Sequence, residues 1–269
     1  MSAGDGGLLP ATPNPRVRRV FTWYAERMLR RRFHAIRAVR GGGAALADVA
    51  AARGPTLLVL SHSSWWDPIV ASLLWRRWFA PREVVAPMDR RELERFRFMR
   101  KLGMFGIDPD DPASLAAMQA YVIERLVDAP DAVVMLTPQG RFADPREPIV
   151  VRPGAASLAA HAGIARAASV AIEYAFWNDQ RPEVFLRVEP IEAPASPTTT
   201  AWQRAIAAAM RGNAQSLASA VRGRDASQFE AIVGGAARIQ PVYDLWLALT
   251  GRSRAIDVGH RESASGAAR

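Results

Sequence analysis

A histidine, His62, and an aspartate, Asp67, stand in the sequence with four residues between them. An imidazole accepts a proton near neutral pH, and a carboxylate bonded to its other nitrogen fixes the tautomer and stabilises the imidazolium. The pair could therefore activate a hydroxyl group or a water molecule for attack on a carbonyl carbon. We predict that His62 is a general base and that Asp67 orients it.

The sequence around the pair leaves an alternative open for each residue. Asp67 precedes Pro68 and an apolar-periodic run, which is the pattern of a helix N-cap with proline at the first helical position. A capping carboxylate at a strand-to-helix turn can still face the histidine. For His62 the alternative is a loop histidine bonded to backbone groups. The apolar run at residues 57–60 places both at the end of a buried strand, where catalytic groups are commonly held.

A second segment could take part in the reaction. It reads Thr-Pro-Gln-Gly-Arg-Phe at residues 137–142 and follows the apolar run at 132–136. Pro-Gln-Gly turns a chain sharply and exposes backbone N–H groups that suit an oxyanion or an acceptor. A plain β-turn is the alternative. Loops that follow parallel strands converge at one edge of a sheet. We therefore predict that this segment and His62 belong to one site.

The elements that must position these loops alternate along the chain, which predicts an α/β fold with a largely parallel central sheet flanked by helices. Strand-like runs occupy residues 56–61, 83–87, 104–107, 132–137, 169–175 and 183–188. Helical patterns occupy 68–79, 90–102, 113–128 and 154–162, and later 200–222, 226–238 and 241–250. The later group predicts a C-terminal helical cap.

We divide the chain by composition into five parts. An α/β domain is predicted over residues 46–197, and C-terminal helices over 198–253. Residues 1–15 and 254–269 have the composition of linkers and are predicted to be disordered. Residues 16–45 are predicted to form a basic amphipathic helix at a membrane surface.

The basic helix is predicted from charge and periodicity together. Residues 16–40 contain nine arginines and one acid, Glu26, and so carry +8 of the net charge of +9. Arginines with aromatic residues suit an anionic lipid surface, whereas a stripe packed on the core is the alternative. The apolar stripe recurs at steps of three and four residues through Val17, Val20, Phe21, Tyr24 and Met28.

Other features of the sequence narrow the class of protein. It has no cysteine, which excludes disulfides and thiolate metal sites. It lacks the roughly 18 consecutive apolar residues of a spanning helix. We expect no signal peptide, because residues 1–15 contain Gly, Pro and Asp and no apolar region. We expect a cytoplasmic protein, peripheral on the inner face of the cell membrane, with no metal site and no nucleic-acid partner.

The spacing His-x-x-x-x-Asp at His62 resembles the glycerolipid acyltransferase family, which includes the 1-acylglycerol-3-phosphate acyltransferases. The likeness covers roughly residues 50–190. Blocks similar to later family motifs lie at 102–108, at 137–142 (Phe-Pro-Glu-Gly-Thr-Arg in the family), at 151–156 and at 169–172.

Members of that family move a fatty acyl group from a thioester of coenzyme A or acyl carrier protein to a lipid hydroxyl, without metal or covalent intermediate. The resemblance implies that His62 is the general base and Asp67 its partner. It implies no cofactor beyond the acyl thioester co-substrate. The residues we predict at the substrate-binding surface are Ser64, Trp65, Pro138, Gln139, Gly140, Arg141 and Arg152.

Three departures from the family pattern leave the acceptor open. Gln139 replaces a glutamate, Phe142 replaces an arginine, and Pro109 follows Asp108 where the family has another arginine. The arginines that would meet an acceptor phosphate are thus missing at their expected places. The acceptor is then a lysophospholipid or another lipid, such as a glycolipid, a glycosylated isoprenoid or carotenoid, or an amino-lipid. A thioester hydrolase and a catalytically decayed membrane-binding scaffold are the remaining alternatives. Cationic residues that could replace the two arginines are Lys101, Arg141, Arg146 and Arg152.

Overall fold

A computed structural model describes residues 8–177 and 179–234 of the chain. Its strands are β1 (Ala35–Val39), β2 (Thr56–Leu60), β3 (Val84–Asp89), β4 (Met104–Ile107), β5 (Val133–Leu136), β6 (Arg166–Ala175), β7 (Glu183–Ile191) and β8 (Phe229–Gly234). Its α-helices are α1 (Pro15–Arg32), α2 (Gly42–Ala51), α3 (Asp67–Leu74), α4 (Arg90–Arg95), α5 (Pro112–Asp128), α6 (Gly154–His161) and α7 (Thr199–Gly223). A π-helical turn, Trp75–Phe79, extends α3, and 3₁₀ turns occupy Arg97–Leu102 and Ala226–Gln228.

The eight strands form one sheet in the order β4-β3-β5-β2-β6-β7-β1-β8. Five neighbouring pairs are parallel, and only β6 with β7 and β1 with β8 are antiparallel. Helices cover both faces, as the crossovers between parallel strands require. The predicted fold class, α/β with a largely parallel sheet, is confirmed.

The central strand β2 is buried along its whole length, which explains its uninterrupted apolar sequence. Leu58 and Leu60 pack into the cluster that includes α3, whereas Leu57 and Val59 pack into the cluster that includes α5 to α7. This alternation follows from the two-residue period of a strand. The core therefore lies on both faces of the sheet and holds the carboxyl end of β2 in place.

The sheet extends beyond the predicted domain limits of 46 and 197. The predicted basic helix over 16–45 ends at Arg32, where Phe33 becomes extended, and β1 then pairs with β7. The predicted helix over 226–238 is also wrong in its described part, where β8 pairs with β1. Phe229 and Val233 are buried in core clusters on opposite faces of the sheet, and the register of the pairing with β1 shifts between them. The predicted helix at 241–250 and tail at 254–269 lie outside the described residues.

The predicted disorder of residues 1–15 is wrong for the residues that the structure describes. Leu9 forms a bridge with Gly106 at the end of β4, with N–H···O distances of 2.9 and 2.7 Å in the two directions. Asn14 then caps α1 by accepting from the N–H groups of Arg16 and Val17. Residues 1–7 lie outside the described part.

Helix α1 exposes part of its predicted apolar stripe. Its buried residues are Arg18, Thr22, Ala25 and Leu29. From the predicted stripe, Val20 and Tyr24 are exposed, as is the neighbouring Trp23, and Phe21 and Met28 are partly buried. The alternative in which the stripe packs on the core therefore holds for Phe21 and Met28 and is wrong for Val20 and Tyr24. Among the described residues, no helix combines the length and apolar content needed to cross a membrane.

Candidate active site

The two predicted loops meet because β2 and β5 are neighbours in the sheet and run parallel. The backbone N–H of His62 donates to Oε1 of Gln139 at 2.9 Å. The carbonyl of His62 accepts from the N–H of Ala143, also at 2.9 Å. The loop after β5 thus fixes the backbone of the histidine from both sides.

His62 and Asp67 form a hydrogen-bonded pair. Nδ1 of His62 lies 2.9 Å from Oδ2 of Asp67, whose side chain is 2% exposed. The same oxygen accepts from the N–H groups of Ser63 and Ser64 at 2.8 and 2.9 Å. With Nδ1 donating to the carboxylate, Nε2 is the ring nitrogen that can accept a proton. The arrangement is that of a base oriented by a carboxylate.

The structure does not support the N-cap role of Asp67. Helix α3 begins at Asp67 itself, and the N–H groups of Ile69 and Val70 donate to the carbonyl of Trp66. The carboxylate points back to the loop that carries the histidine. Proline at the start of the helix is accommodated because it has no N–H to satisfy.

Tyr174 on β6 also contacts the carboxylate of Asp67. The sequence analysis did not identify it as a site residue. Its hydroxyl donates to Oδ1 of Asp67 at 2.6 Å. Burial, and then the nearby charge of Asp67, raise the pKa of Tyr174 above its usual value, so the phenol stays protonated and remains a donor. A tyrosine inside a predicted strand was the available signal. The contact depends on β6 lying beside β2, which the sequence does not reveal.

The Pro-Gln-Gly segment forms a tight turn that uses one of its own N–H groups. Gly140 has a φ of 66°, and its N–H donates to the carbonyl of Thr137 at 3.0 Å. That N–H is therefore not free to hold an oxyanion, and the plain-turn interpretation fits Gly140. A Cβ atom at Gly140 would lie 2.8 Å from Nε of Arg152, so glycine also permits a close approach. Pro138 is buried beneath the turn, and its carbonyl accepts from the N–H of Arg152.

The arginines predicted to meet the acceptor are each paired with a carboxylate. Arg141 lies 3.1 Å from Glu147, and Arg146 lies 2.6 Å from Asp144. Arg146 lowers the pKa of Asp144 by hydrogen bonding to it. Nη1 of Arg152 contacts Asp110 and the carbonyl of Pro109, both at 3.0 Å. Lys101 is exposed on the 3₁₀ turn beside the start of α1.

Aromatic side chains form the exposed border of the site. The ring of Phe142 lies 4.3 Å from the imidazole of His62, centroid to centroid, and is 56% exposed. Trp65 is equally exposed and packs edge-on against Trp66. Ser64 is engaged within the loop, because its Oγ accepts from the N–H of Trp66. Among the described residues, no group of three or more His, Asp and Glu side chains could hold a metal ion.

Residues 36–172 match the family model described as Acyltransferase, which is just over half of the chain. The chain belongs to the acyltransferase family. No curated protein matches the sequence. Among solved structures, the crystal structure of the 1-acyl-sn-glycerophosphate (LPA) acyltransferase PlsC from Thermotoga maritima is similar, with 15% identity and a TM-score of 0.49. That similarity covers 75% of this chain and 80% of the other.

Proposed function

We propose that this acyltransferase-family protein moves a fatty acyl group from an acyl thioester to the hydroxyl group of a lipid. The observation that carries the proposal is the His62–Asp67 pair, held at the carboxyl end of β2 by hydrogen bonds to both carboxylate oxygens. In α/β folds this edge of the sheet is where ligands bind.

The proposed step begins with the acceptor hydroxyl donating its proton to Nε2 of His62. The oxygen forms a bond to the carbonyl carbon of the thioester, and the carbon–sulfur bond breaks. The thiolate leaves and takes the proton from His62, so the enzyme returns to its starting state. Asp67 holds the imidazole in the correct tautomer and stabilises the transient imidazolium. The donor is a thioester of coenzyme A or acyl carrier protein, and the acceptor a lysophospholipid or another lipid alcohol.

We also propose that the protein lies on the anionic inner surface of the cell membrane through α1. Val20, Trp23 and Tyr24 are exposed on this helix. An open groove beside them is lined by Phe98 and by Arg16, Val17, Val20, Phe21 and Tyr24 of α1. Near an anionic membrane each arginine contributes about 1 kcal/mol of binding. The exposed arginines of the helix are Arg16, Arg19, Arg27, Arg30, Arg31 and Arg32.

Vesicle sedimentation tests the membrane proposal. We expect the full-length protein to bind vesicles that contain phosphatidylserine, and the double variant Trp23→Ser/Tyr24→Ser to bind much more weakly. Val127→Ser, which removes an exposed apolar side chain near the end of α5, is the matched control and should bind like the wild type. Equal binding by the double variant would contradict the proposal.

A product assay tests the enzymatic proposal against its two alternatives. Acyl-CoA and acyl carrier protein thioesters with a labelled acyl chain are incubated with the protein, with and without a mixture of lipid alcohols. We expect a labelled ester that forms only when an acceptor is present. Free fatty acid without an acceptor-dependent product would identify a hydrolase. No turnover of any thioester would favour the decayed scaffold.

A further inference from the structure

Four consecutive backbone N–H groups, those of residues 61–64, lie in the turn that carries the base, and each of them has a partner. Ser61 donates to the carbonyl of Val170 on β6 at 3.1 Å. The two residues after the histidine donate to the carboxylate of Asp67. The histidine itself is the one of the four whose N–H depends on a side chain from the loop after β5.

That side chain is Gln139, whose Oε1 accepts from the N–H of His62 at 2.9 Å. Strands β2 and β5 pair as far as Val59 and Leu136, and the two bonded residues lie three positions further along each chain. The backbone of the loop has already turned away, because the N–H of Gly140 donates to the carbonyl of the turn itself. The glutamine oxygen therefore continues the pairing between the strands where no strand carbonyl is left to do so.

The two ends of the Gln139 amide are engaged differently. An N–H group can only donate, so the amide oxygen must face His62. The amide nitrogen has no hydrogen-bond partner among the described residues, and it is not a buried atom. The oxygen is thus committed to the histidine, whereas the two N–H groups of the amide are open to solvent or to a substrate.

The direction of the imidazole depends on the backbone from which it projects. Asp67 holds the ring at Nδ1, Ala143 holds the carbonyl of His62, and Gln139 holds its N–H. Without the glutamine oxygen, a partly buried N–H would lose its acceptor, and the backbone would have to shift to find another. A displacement of about 1 Å at a catalytic group can lower the rate about 10²-fold.

We propose that Gln139 is a positioning residue for the base, and that its side-chain oxygen is the part of it that acyl transfer requires. This inference rests on the proposed acyl transfer, and it gives Gln139 a role other than the substrate contact expected from the sequence. Gln139 acts through His62 and does not touch the reacting atoms. Its loss should therefore lower kcat equally for every acceptor and leave KM unchanged.

Two variants separate the oxygen of the amide from its nitrogen. Gln139→Met keeps the length of the side chain without an acceptor, so kcat should fall about 10 to 10²-fold and KM should stay within about twofold. Gln139→Glu restores an acceptor but has no N–H group, and should recover kcat to within about threefold of the wild type. Monohexanoylglycerol and hexanoyl lysophosphatidate serve as acceptors. The values are compared at the plateau of each pH profile, because a carboxylate at this position shifts the profile.

Gln119→Met is the matched control. Gln119 lies on α5, is partly buried, and also accepts through Oε1, from the hydroxyl of Ser157 at 2.8 Å. Each of the two methionine variants should lower Tm by about 2 to 4 °C, the scale of one lost hydrogen bond in a chain of this size. The kcat should fall in the Gln139 variant alone.

Hydrogen exchange at His62 measures the bond without any turnover. The sequence has four histidines, so ¹⁵N-histidine labelling simplifies the amide spectrum, and His62→Ala identifies the signal of this residue. We expect the His62 amide to exchange at least about tenfold faster in Gln139→Met than in the wild type, and at close to the wild-type rate in Gln139→Glu.

The possible outcomes separate the inference from the proposal on which it depends. Equal exchange of the His62 amide in wild type and Gln139→Met would overturn the inference, as would faster exchange with unchanged kcat. A loss of kcat that Gln139→Glu shares, or that differs between the two acceptors, would also overturn it, because the amide nitrogen would then contact the substrate. Absence of an ester product from the wild type with these acceptors and with longer-chain lipid alcohols would overturn the proposed function itself, whereas the exchange rates would still decide whether Gln139 holds His62.

Discussion

The two halves of the candidate site hold their charges in different ways. On one side the carboxylate of Asp67 is buried and accepts hydrogen bonds from His62, from two backbone N–H groups and from Tyr174. On the other side the acids of the loop after β5 are exposed and pair with exposed arginines. Buried networks fix one geometry, whereas exposed ion pairs contribute little and exchange with water. In the proposed mechanism, the buried network holds the base, and the exposed loop borders the space beside it.

The largest effect is expected for Asp67→Asn. The variant keeps the shape of the side chain but removes the charge that stabilises the imidazolium and places a donor where acceptors are needed. We expect kcat/KM for acyl transfer to fall by about 10² to 10⁴, the usual contribution of general-base assistance. Asp48→Asn, at an exposed position on α2, is the control and should retain full activity. Full activity in Asp67→Asn would show that acyl transfer does not depend on the buried carboxylate.

A smaller effect is expected for Tyr174→Phe. The change removes one donor to Asp67 and leaves the carboxylate with three, so we expect kcat to fall about tenfold and the free energy of unfolding by about 1 to 3 kcal/mol. Tyr121→Phe is the matched control, because the Tyr121 hydroxyl accepts from the N–H of Ala11. It should lose stability without losing kcat. If both variants kept the wild-type kcat, Tyr174 would be only a structural residue.

Gly140→Ala probes the point where the loop approaches Arg152. An alanine there combines a positive φ with a contact to the guanidinium, and should cost more stability than Gly163→Ala. Gly163 has a similar φ of 59° but no atom within 4 Å of an added Cβ. We expect backbone strain to lower the free energy of unfolding of each variant by about 1 to 2 kcal/mol, with a further loss only at Gly140. Denaturant unfolding measures both values. Equal losses would show that Arg152 moves aside freely.

The smallest effect is expected for Arg141→Gln, which breaks the exposed pair with Glu147. Both side chains are at least half exposed. Such pairs contribute about 0 to 1 kcal/mol, so the free energy of unfolding should change by less than that amount. Acyl transfer should stay within about twofold of the wild type, because Arg141 makes no contact with His62 or Asp67 in the structure. A large loss of transfer would show that the exposed half also positions the base.

The sequence was most informative where one physical requirement dominates. Buried parallel strands need continuous apolar runs, so β2 and β5 were predicted to within two residues. Turn residues after them located both loops of the site. The sequence predicted that the two loops converge because the strands were expected to be parallel. The loops touch because β2 and β5 are also neighbours in the sheet.

The sequence was misleading where polar residues are buried. In α1 the buried residues include Arg18 and Thr22, so the apolar stripe alone does not identify which residues of the helix face the core. Arg18 is accommodated because its guanidinium lies 4.7 Å from the centre of the Trp75 ring, a favourable cation–π contact. The strand β1 was missed because it follows directly on the arginine-rich helix. Tyr174 could not be placed because long-range strand order determines its contact with Asp67.

The most direct test of the account is the rate of acyl transfer by His62→Ala beside His161→Ala. His161 is an exposed histidine at the end of α6 whose ring bonds to the carbonyl of Ser157, so it is the matched control. We predict that His62→Ala, folded by circular dichroism, loses about 10² to 10⁴ in kcat/KM while His161→Ala keeps the wild-type value. Full acyl transfer by folded His62→Ala would contradict the assignment of this histidine as the base.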